Sequence, residues 1–274
     1  MKIFIFYNPL KLSKDTLEEN ILKPFNESNI EVLGYAAAGS TVEEKQAQAA
    51  DFFVIFGGDG TVLKIAEIAA IFSKPVIAVN TGNLGFLSSY SSSEIKELIE
   101  DIQKENISFS FRHLLECHVG TKKVVVLNDI VLLKSQPLGT MNVDVKIERH
   151  TLFSFAGDGL IVSTPTGSTA YALSAGGPII HPELNVIQLI PLAAHALNIR
   201  PFIAPPTQKI EIILKNMSKG FAYVTGDGDI IHRMEPGMSI FVTSSEMTIK
   251  LAQRNGNNYL NVLDKKLGFG RRFE

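Results

Sequence analysis

The sequence predicts an α/β fold: an N-terminal open α/β domain of the nucleotide-binding type, followed by a C-terminal β-rich, β-sandwich-like domain. Two observations favour this fold. Up to about residue 110, buried apolar runs alternate with helical segments, which is typical of a parallel sheet covered by helices. Beyond that point helical periodicity becomes scarce and short β-rich segments recur, which is typical of antiparallel strands.

The elements of the first domain follow from apolar runs and from the residues that stop them. In chain order we expect strand 2–7, helix 17–25, strand 52–56, a helix opened by Thr61, strand 75–79 and helix 93–102. The three strands are continuous apolar runs, as strands buried on both faces are. Asn8-Pro9 and Gly57-Gly58 end the first two strands. Thr61 and Ser93 are the residue types that cap helix N-termini, so we expect them at these positions.

The second domain is expected to consist mainly of short strands. The segments with β character are residues 115–119, 123–133, 143–147, 152–156, 160–163, 210–214, 221–224, 239–243 and 247–251. Turn residues such as Gly139, Gly157 and Asn216 separate them. No Pro/Gly-rich linker marks the boundary near residue 110. We divide the chain into residues 1–109, 110–256 and a tail, 257–274.

Composition excludes several classes of protein. Hydrophobic residues make up 45% and charged residues 20% of the chain, which is an ordinary globular balance. The formal net charge of −2 argues against a broad nucleic-acid binder. No apolar run approaches the ~20 residues of a membrane span. Cys117 is the single cysteine, so no internal disulfide forms and a reducing compartment is expected. A soluble, cytoplasmic protein without nucleic-acid or membrane partners is the resulting expectation.

Common nucleotide and hydrolase motifs are missing. The chain has no Gly-x-x-x-x-Gly-Lys-Ser/Thr loop, no Gly-x-Gly-x-x-Gly, no His-Glu-x-x-His and no Gly-x-Ser-x-Gly. Its six histidines are scattered, with no metal-ligand pair on one helix face. Nucleotide chemistry would therefore need another kind of loop.

Such a loop is residues 57–61, Gly-Gly-Asp-Gly-Thr, between a buried strand and a helix. Ligands of open parallel sheets bind beyond the carboxyl ends of the strands. Glycines let the backbone approach a ligand, and the helix start offers free N–H groups to phosphate. The carboxylate of Asp59 would accept a proton from a hydroxyl nucleophile or hold a metal ion with the phosphates. A plain tight turn with an acidic residue at a helix start would give the same pattern.

Two further segments carry polar groups. Residues 158–178 run from an acidic turn through a strand into a stretch rich in Ser, Thr and Gly, with Tyr171 as a stacking face. Hydroxyls suit the edges of a base or a sugar, but a capped turn before a small-residue helix explains them equally. Asn128 and Asp129 interrupt an apolar strand. Either a ligand with vicinal hydroxyls or a turn would satisfy this pair.

In order and spacing, these motifs resemble those of the NAD kinases. The matching segments are residues 57–61, 80–87 (Asn-Thr-Gly-Asn-Leu-Gly-Phe-Leu), 128–129, 164–171 (Thr-Pro-Thr-Gly-Ser-Thr-Ala-Tyr), 176–182 and 266–270. Diacylglycerol and sphingosine kinases share the glycine–aspartate loop, whereas the 164–171 run separates NAD kinases from them. The resemblance implies ATP-dependent phosphorylation of the 2′-hydroxyl of the adenosine ribose of NAD. It also implies that the C-terminal tail returns to the first domain.

The resemblance also implies site residues. Asp59 matches the proton acceptor, and Gly57, Gly58 and Thr61 lie where phosphate binds. The positions that match NAD-binding residues are Gly60, Lys64, Phe86, Asn128, Asp129, Asp158, Thr169, Ala170, Tyr171, Ser174, Ala193 and Asp227. Phosphoryl transfer needs charge neutralisation, so we expect a divalent cation, Mg²⁺, with ATP; its protein ligands are not identified. Ala156 and Asp264 depart from the family, which often has basic residues there.

Two alternatives to an NAD kinase stay open at this stage. A diacylglycerol-type lipid kinase would share the Asp59 loop, and a non-catalytic NAD-sensing module would keep the pocket without turnover. The family forms homo-oligomers, so the resemblance implies a dimer or tetramer through the β-rich domain. In such an assembly Asp158 and Ala193 of one chain would face Asp59, Asn128 and Tyr171 of another. Residues 186–196, an apolar stretch interrupted by Pro191, would lie at that interface or be ordinary core.

Overall fold

A computed structural model describes residues 1–82, 85–254 and 259–270 of the chain. The chain forms two compact units. The first consists of Met1–Phe111 with Ile249–Glu274, and the second of Arg112–Thr248. Within the described residues, no helix combines the length and the apolar character that crossing a bilayer requires.

The first unit contains a parallel sheet with helical connections. Its strands are β1 (Lys2–Tyr7), β2 (Glu31–Ala37), β3 (Phe52–Gly57), β4 (Val76–Asn80) and β5 (Tyr90–Ser91), in the order β5-β4-β3-β1-β2. Its helices are α1 (Lys14–Leu17), α2 (Lys23–Asn26), α3 (Glu44–Ala49), α4 (Asp59–Ile71) and α5 (Ile95–Gln103). A π-helical turn, Glu18–Leu22, joins α1 to α2, and a 3₁₀ turn, Ser92–Glu94, precedes α5.

The central strands are apolar along their whole length because the sheet is covered on both faces. On one face Ile5 and Val54 pack against Phe25 of α2 and Leu98 of α5. On the other face Phe4, Phe6 and Phe53 form a ring cluster with centroids 5.0–6.3 Å apart.

Both predicted helix caps of this unit are wrong. α4 begins at Asp59 with Gly58 as its N-cap, and the Thr61 hydroxyl turns back to accept the Gly58 N–H at 3.3 Å. At the second helix, Ser91 rather than Ser93 is the cap. The Ser91 N–H donates to Glu94 Oε2 at 2.8 Å in a reciprocal capping box. In each case a hydroxyl or carboxylate three residues into the turn fixes the start.

The second unit is rich in strands. They are β6 (Ile107–Val119), β7 (Lys122–Val126), β8 (Asp129–Lys134), β9 (Met141–Ile147), β10 (His150–Gly157), β11 (Gly159–Ser163), β12 (Ile187–Leu192), β13 (Phe202–Ala204), β14 (Ile210–Met217), β15 (Ala222–Gly226), β16 (Asp229–Met234) and β17 (Ser239–Arg254). A 3₁₀ turn, Thr166–Thr169, leads into α6 (Tyr171–Ser174). The last helix, α7 (Tyr259–Leu267), belongs to the first unit. β6 and β17 cross the boundary between the units, and Leu251 of β17 pairs with Val76 of β4 in the first unit.

Two antiparallel layers of this unit share one core. One layer has the order β13-β12-β11-β8-β15-β16, and the other contains the run β10-β9-β14-β17. Val143 and Ile212 of one layer and Leu132 and Val162 of the other belong to the same buried cluster, which also holds Cys117. This is a β-sandwich, so the predicted fold class is confirmed.

Details of the strand prediction differ from the structure. Residues 123–133 form two strands, since the chain bends at Leu127 and Asn128. Residues 239–243 and 247–251 belong to one continuous strand, β17. The apolar stretch 186–196 contains β12, whose Leu189 and Ile190 are fully buried.

Candidate active site

In the first unit, three neighbouring strands end at the same level and bring their loops together. Gly57 at the end of β3 pairs with Asn80 at the end of β4. The Thr81 N–H donates to the Gly57 carbonyl at 3.1 Å, and the Asn8 N–H donates to the Phe56 carbonyl at 3.0 Å. The loops after β1, β3 and β4 therefore meet at the carboxyl edge of the sheet, where open α/β folds bind ligands.

Asp59, the predicted proton acceptor, is held in a fixed orientation at the start of α4. Its Oδ2 accepts the Phe86 N–H at 2.8 Å and its Oδ1 accepts the Leu87 N–H at 3.2 Å. A Cβ at Gly85 would overlap the same carboxylate, so a larger residue there would displace the Asp59 side chain. Because a carboxylate has about four lone-pair positions, two remain available for a ligand. The predicted NAD-binding residue Phe86 thus contacts Asp59 through its backbone, while Asn83 and Leu84 of the same motif lie outside the described residues.

The other residues of the glycine loop divide into two groups. Gly58, Gly60, Thr61 and Lys64 line a cleft of about 370 Å³. Gly57 does not line it; a Cβ there would overlap the Thr61 side chain, so this glycine is needed for internal packing. The Thr61 hydroxyl also lies 3.5 Å from Asn8 Nδ2, which links the loop to the end of β1.

Sequence reasoning missed the residues that form the opposite wall of this cleft. Asn8 and Lys11, which follow β1, line it together with Leu10. The Asn8 side chain accepts the Leu10 N–H at 2.9 Å, and the Asn8 carbonyl accepts the N–H of Lys11 at 3.0 Å. The available signal was the position of Asn8-Pro9 at the end of a strand adjacent to β3.

In the second unit, Asn128 and Asp129 lie at a bend that a distant carboxylate fixes. Asp227 accepts the backbone N–H groups of Leu127, Asn128 and Asp129 at 2.8, 2.8 and 3.1 Å. Thr164 holds the other side, since its hydroxyl donates to the Leu127 carbonyl at 2.6 Å. Asp227, predicted as an NAD-binding residue, thus has its carboxylate engaged by the backbone of this bend.

The carboxyl of Asp129 is buried, with 6% of the residue exposed. Burial, and secondarily the nearby Asp227 carboxylate, raise the pKa of Asp129 to about 7. Burial also raises the pKa of Asp227, while its three backbone N–H bonds act in the opposite direction. No hydrogen-bond donor in the described part of the chain contacts the Asp129 carboxyl.

The run of hydroxyl residues has an internal part and an outer part. Ser163, Thr164 and Ser168 are buried and bond to backbone groups; the Ser168 hydroxyl, for example, donates to Pro165 and accepts from Ile180. These three hydroxyls therefore stabilise the turn itself, as the alternative interpretation proposed. The predicted ligand-binding positions that remain at least partly exposed are Thr169, Ala170, Tyr171 and Ser174.

Pairing of β11 with β12 brings two further predicted residues together. The Asp158 N–H donates to the Leu192 carbonyl at 2.9 Å, so Asp158 lies beside Ala193. Ala193 has a left-handed backbone, with φ of +46°, which an alanine seldom adopts. The Asp158 carboxylate forms an ion pair with Lys134 Nζ at 2.5 Å, a partner that sequence reasoning did not identify.

The described residues contain no group of three His, Cys, Asp or Glu side chains placed to hold a metal ion.

Known proteins match this chain over almost its whole length. The model of the ATP-NAD kinase N-terminal domain matches residues 5–107, and that of the C-terminal domain matches residues 127–264. An NAD kinase of Petrotoga mobilis is 97% identical over 274 residues, all of both chains. An NAD kinase of Sulfurimonas denitrificans is 32% identical over 98% of this chain and 97% of its own.

Solved structures agree. Yeast NADH kinase in complex with NADH has a TM-score of 0.84 at 26% identity, with coverage of 100% of this chain and 89% of the other. An NAD kinase from Archaeoglobus fulgidus in complex with ATP has a TM-score of 0.73 at 26% identity, with coverage of 93% and 94%. The resemblance seen in the sequence motifs is thereby confirmed. Since both domain models and a near-identical relative match, the chain belongs to the ATP-NAD kinase family.

Proposed function

We propose that this chain transfers the γ-phosphoryl group of ATP to the 2′-hydroxyl of the adenosine ribose of NAD, giving NADP and ADP. The observation that carries the proposal is the fixed Asp59 carboxylate at the start of α4, beside a cleft lined by glycines and lysines. The family assignment makes the chain a phosphotransferase with an alcohol acceptor. The lipid-kinase and NAD-sensing alternatives receive no support from the relatives described above.

In the proposed reaction the 2′-oxygen attacks the γ-phosphorus, and the bond from that phosphorus to the ADP oxygen breaks. Asp59 accepts the proton of the hydroxyl through one of its two remaining lone-pair positions. Gly58, Gly60 and Thr61 admit the phosphates to the start of α4, where the helix dipole favours negative charge. Mg²⁺ enters with ATP as part of the donor substrate and neutralises phosphate charge.

NAD is proposed to bind through the second unit. The buried Asp129 carboxyl, which lacks a donor among the described residues, suits the vicinal hydroxyls of a ribose. Tyr171, 45% exposed, offers a ring face for stacking, with Thr169, Ala170 and Ser174 beside it in sequence. Asp158 and Ala193 are proposed for the nicotinamide half, and Lys64 and Phe86 for the side nearest Asp59.

The assembly and the cellular location also belong to the proposal. We propose a homodimer or homotetramer, because β13 and β16 are the edges of a sheet. Their apolar residues Phe202, Ile203 and Ile230 are 39%, 45% and 65% exposed. We also propose a cytoplasmic location, since the only cysteine is a free thiol in a buried core.

One experiment tests the reaction. The purified chain is incubated with ATP and Mg²⁺ and with either NAD or diacylglycerol, and NADP is measured by an NADP-specific dehydrogenase. We expect NADP in the first mixture and no lipid phosphate in the second. Phosphorylated lipid, or tight NAD binding without NADP, would instead support one of the alternatives.

A further inference from the structure

We propose that Lys11 is a donor-binding residue whose ammonium group binds the phosphate chain of ATP. This inference rests on the proposed function and deepens it. The loop after β1 belongs to no motif used above.

The position of the ammonium group is the first argument. An ideal Cβ on Gly58 would lie 3.3 Å from Lys11 Nζ, and one on Gly82 would lie 3.7 Å from it. Gly58 follows β3 and Gly82 follows β4, so a cation from the loop after β1 lies against the backbones of two other loops of the sheet edge. Because both positions are glycines, no side chain separates the ammonium group from the two backbones.

The second argument is that this charge has no partner among the described residues. In the described part of the chain, Lys11 and Lys64 line the same cleft and neither forms an ion pair or a side-chain hydrogen bond. The nearby carboxylate of Asp59 does not line the cleft and is engaged by the 86–87 backbone. Two like charges in one cleft repel each other, and an anion entering between them relieves this repulsion.

The third argument is that hydrogen bonds fix the backbone position of Lys11. Asn8 forms a tight turn by accepting the N–H groups of Leu10, Lys11 and Leu12 at 2.9–3.0 Å. The Asn8 amide also reaches Thr61 in the first turn of α4. The backbone of Lys11 is thereby linked to the helix start that is proposed to receive phosphate. A polyanion such as a triphosphate can span the distance between Lys11 and Lys64 better than a single phosphate can.

The test compares Lys11→Met with Lys14→Met, a matched control on an exposed lysine three residues later that does not line the cleft. Methionine keeps the apolar stem and removes the charge. For Lys11→Met we expect the KM for ATP to rise roughly 10- to 100-fold, as for a lost hydrogen bond to a charged group. The KM for NAD and the Tm should change little, and Lys14→Met should behave as the unmodified chain.

Sodium tripolyphosphate provides a readout that does not require turnover. Calorimetric titration should show binding to the unmodified chain and to Lys14→Met that weakens by the same factor in Lys11→Met. Binding should also weaken with added salt, more steeply in the unmodified chain than in Lys11→Met. An unchanged KM for ATP, an equal rise of the KM for NAD, or tripolyphosphate binding that is independent of Lys11 would overturn the inference. Lys11-dependent tripolyphosphate binding in a chain that makes no NADP would overturn the proposed reaction alone.

Discussion

Two carboxyl groups of this chain, those of Asp59 and Asp129, lie in different surroundings. Asp59 keeps two backbone N–H bonds at a helix start, whereas Asp129 is buried beside another acid. The first arrangement fixes the orientation of a carboxyl group, and the second raises the pKa of a carboxyl group to about 7. The two residues should therefore respond differently to loss of charge.

Asp59→Asn should lower kcat roughly 10²- to 10⁴-fold, because it removes the proposed proton acceptor. The KM for NAD should change little, since the lost interaction belongs to the transition state. Steady-state rates with NAD as the varied substrate measure both constants. Asp15→Asn, an exposed acid of α1, is the control. A variant that loses stability but keeps its kcat would make Asp59 a purely structural residue.

Asp129 should make stability depend on pH. Its pKa is about 7 in the folded chain and about 3.9 when unfolded, so the folded state holds more protons between these values. The free energy of unfolding should therefore fall as pH rises from about 4 to about 7 and stay level above. Asp129→Asn should remove this decline and raise the Tm at pH 8 by several degrees, about 2–4 °C for each kcal/mol. Thermal unfolding followed by circular dichroism at pH 5 and pH 8 measures the difference; equal Tm differences at both values would contradict it.

At the scale of elements, turns and bends hold the site residues in place. The turn between β15 and β16 places Asp227, at φ of +48°, against the bend between β7 and β8. The bend carries Asn128 and Asp129, so a residue about 100 positions away fixes their backbone.

Asp227→Asn should loosen this bend. Asparagine tolerates the left-handed backbone, but it has one acceptor oxygen where three N–H groups need partners. We expect the KM for NAD to rise about 10-fold, with the KM for ATP changed less than about twofold. Asp229→Asn, an exposed acid on β16, is the control. Equal rises for both substrates would point to general loss of structure.

Much of the fold could be predicted because burial leaves a continuous signal in β1, β3 and β4. β2 was missed, since its residues are exposed or only partly buried and Gly34 interrupts it. The Asp59 and Asn128 segments were found because each is contiguous in sequence. Lys11 and the bonds of Asp227 were not found, since they depend on loops that meet only in the folded chain.

At the scale of the whole molecule, assembly is a separate prediction. A homo-oligomer whose site draws on two chains should restore activity when two inactive variants are mixed. Asp59→Asn and Asp158→Ala should each be inactive. When the two variants are unfolded and refolded together, up to about a quarter of the activity per site should return, since random pairing gives that share of sites with neither substitution. Light scattering measures the assembly. A monomer, or mixed oligomers that stay inactive, would contradict the prediction.

The buried position of Cys117 has a practical consequence. Its side chain is fully shielded in the sandwich core, and burial raises the pKa of the thiol to about 11. A maleimide reacts with a thiolate, so it can label this chain only when the β-sandwich opens. Because the sequence has no other cysteine, each labelled molecule records one opening of the second unit. The labelling rate thus measures how often the β-sandwich opens. A slower rate in the presence of NAD would show how much the nucleotide stabilises the second unit.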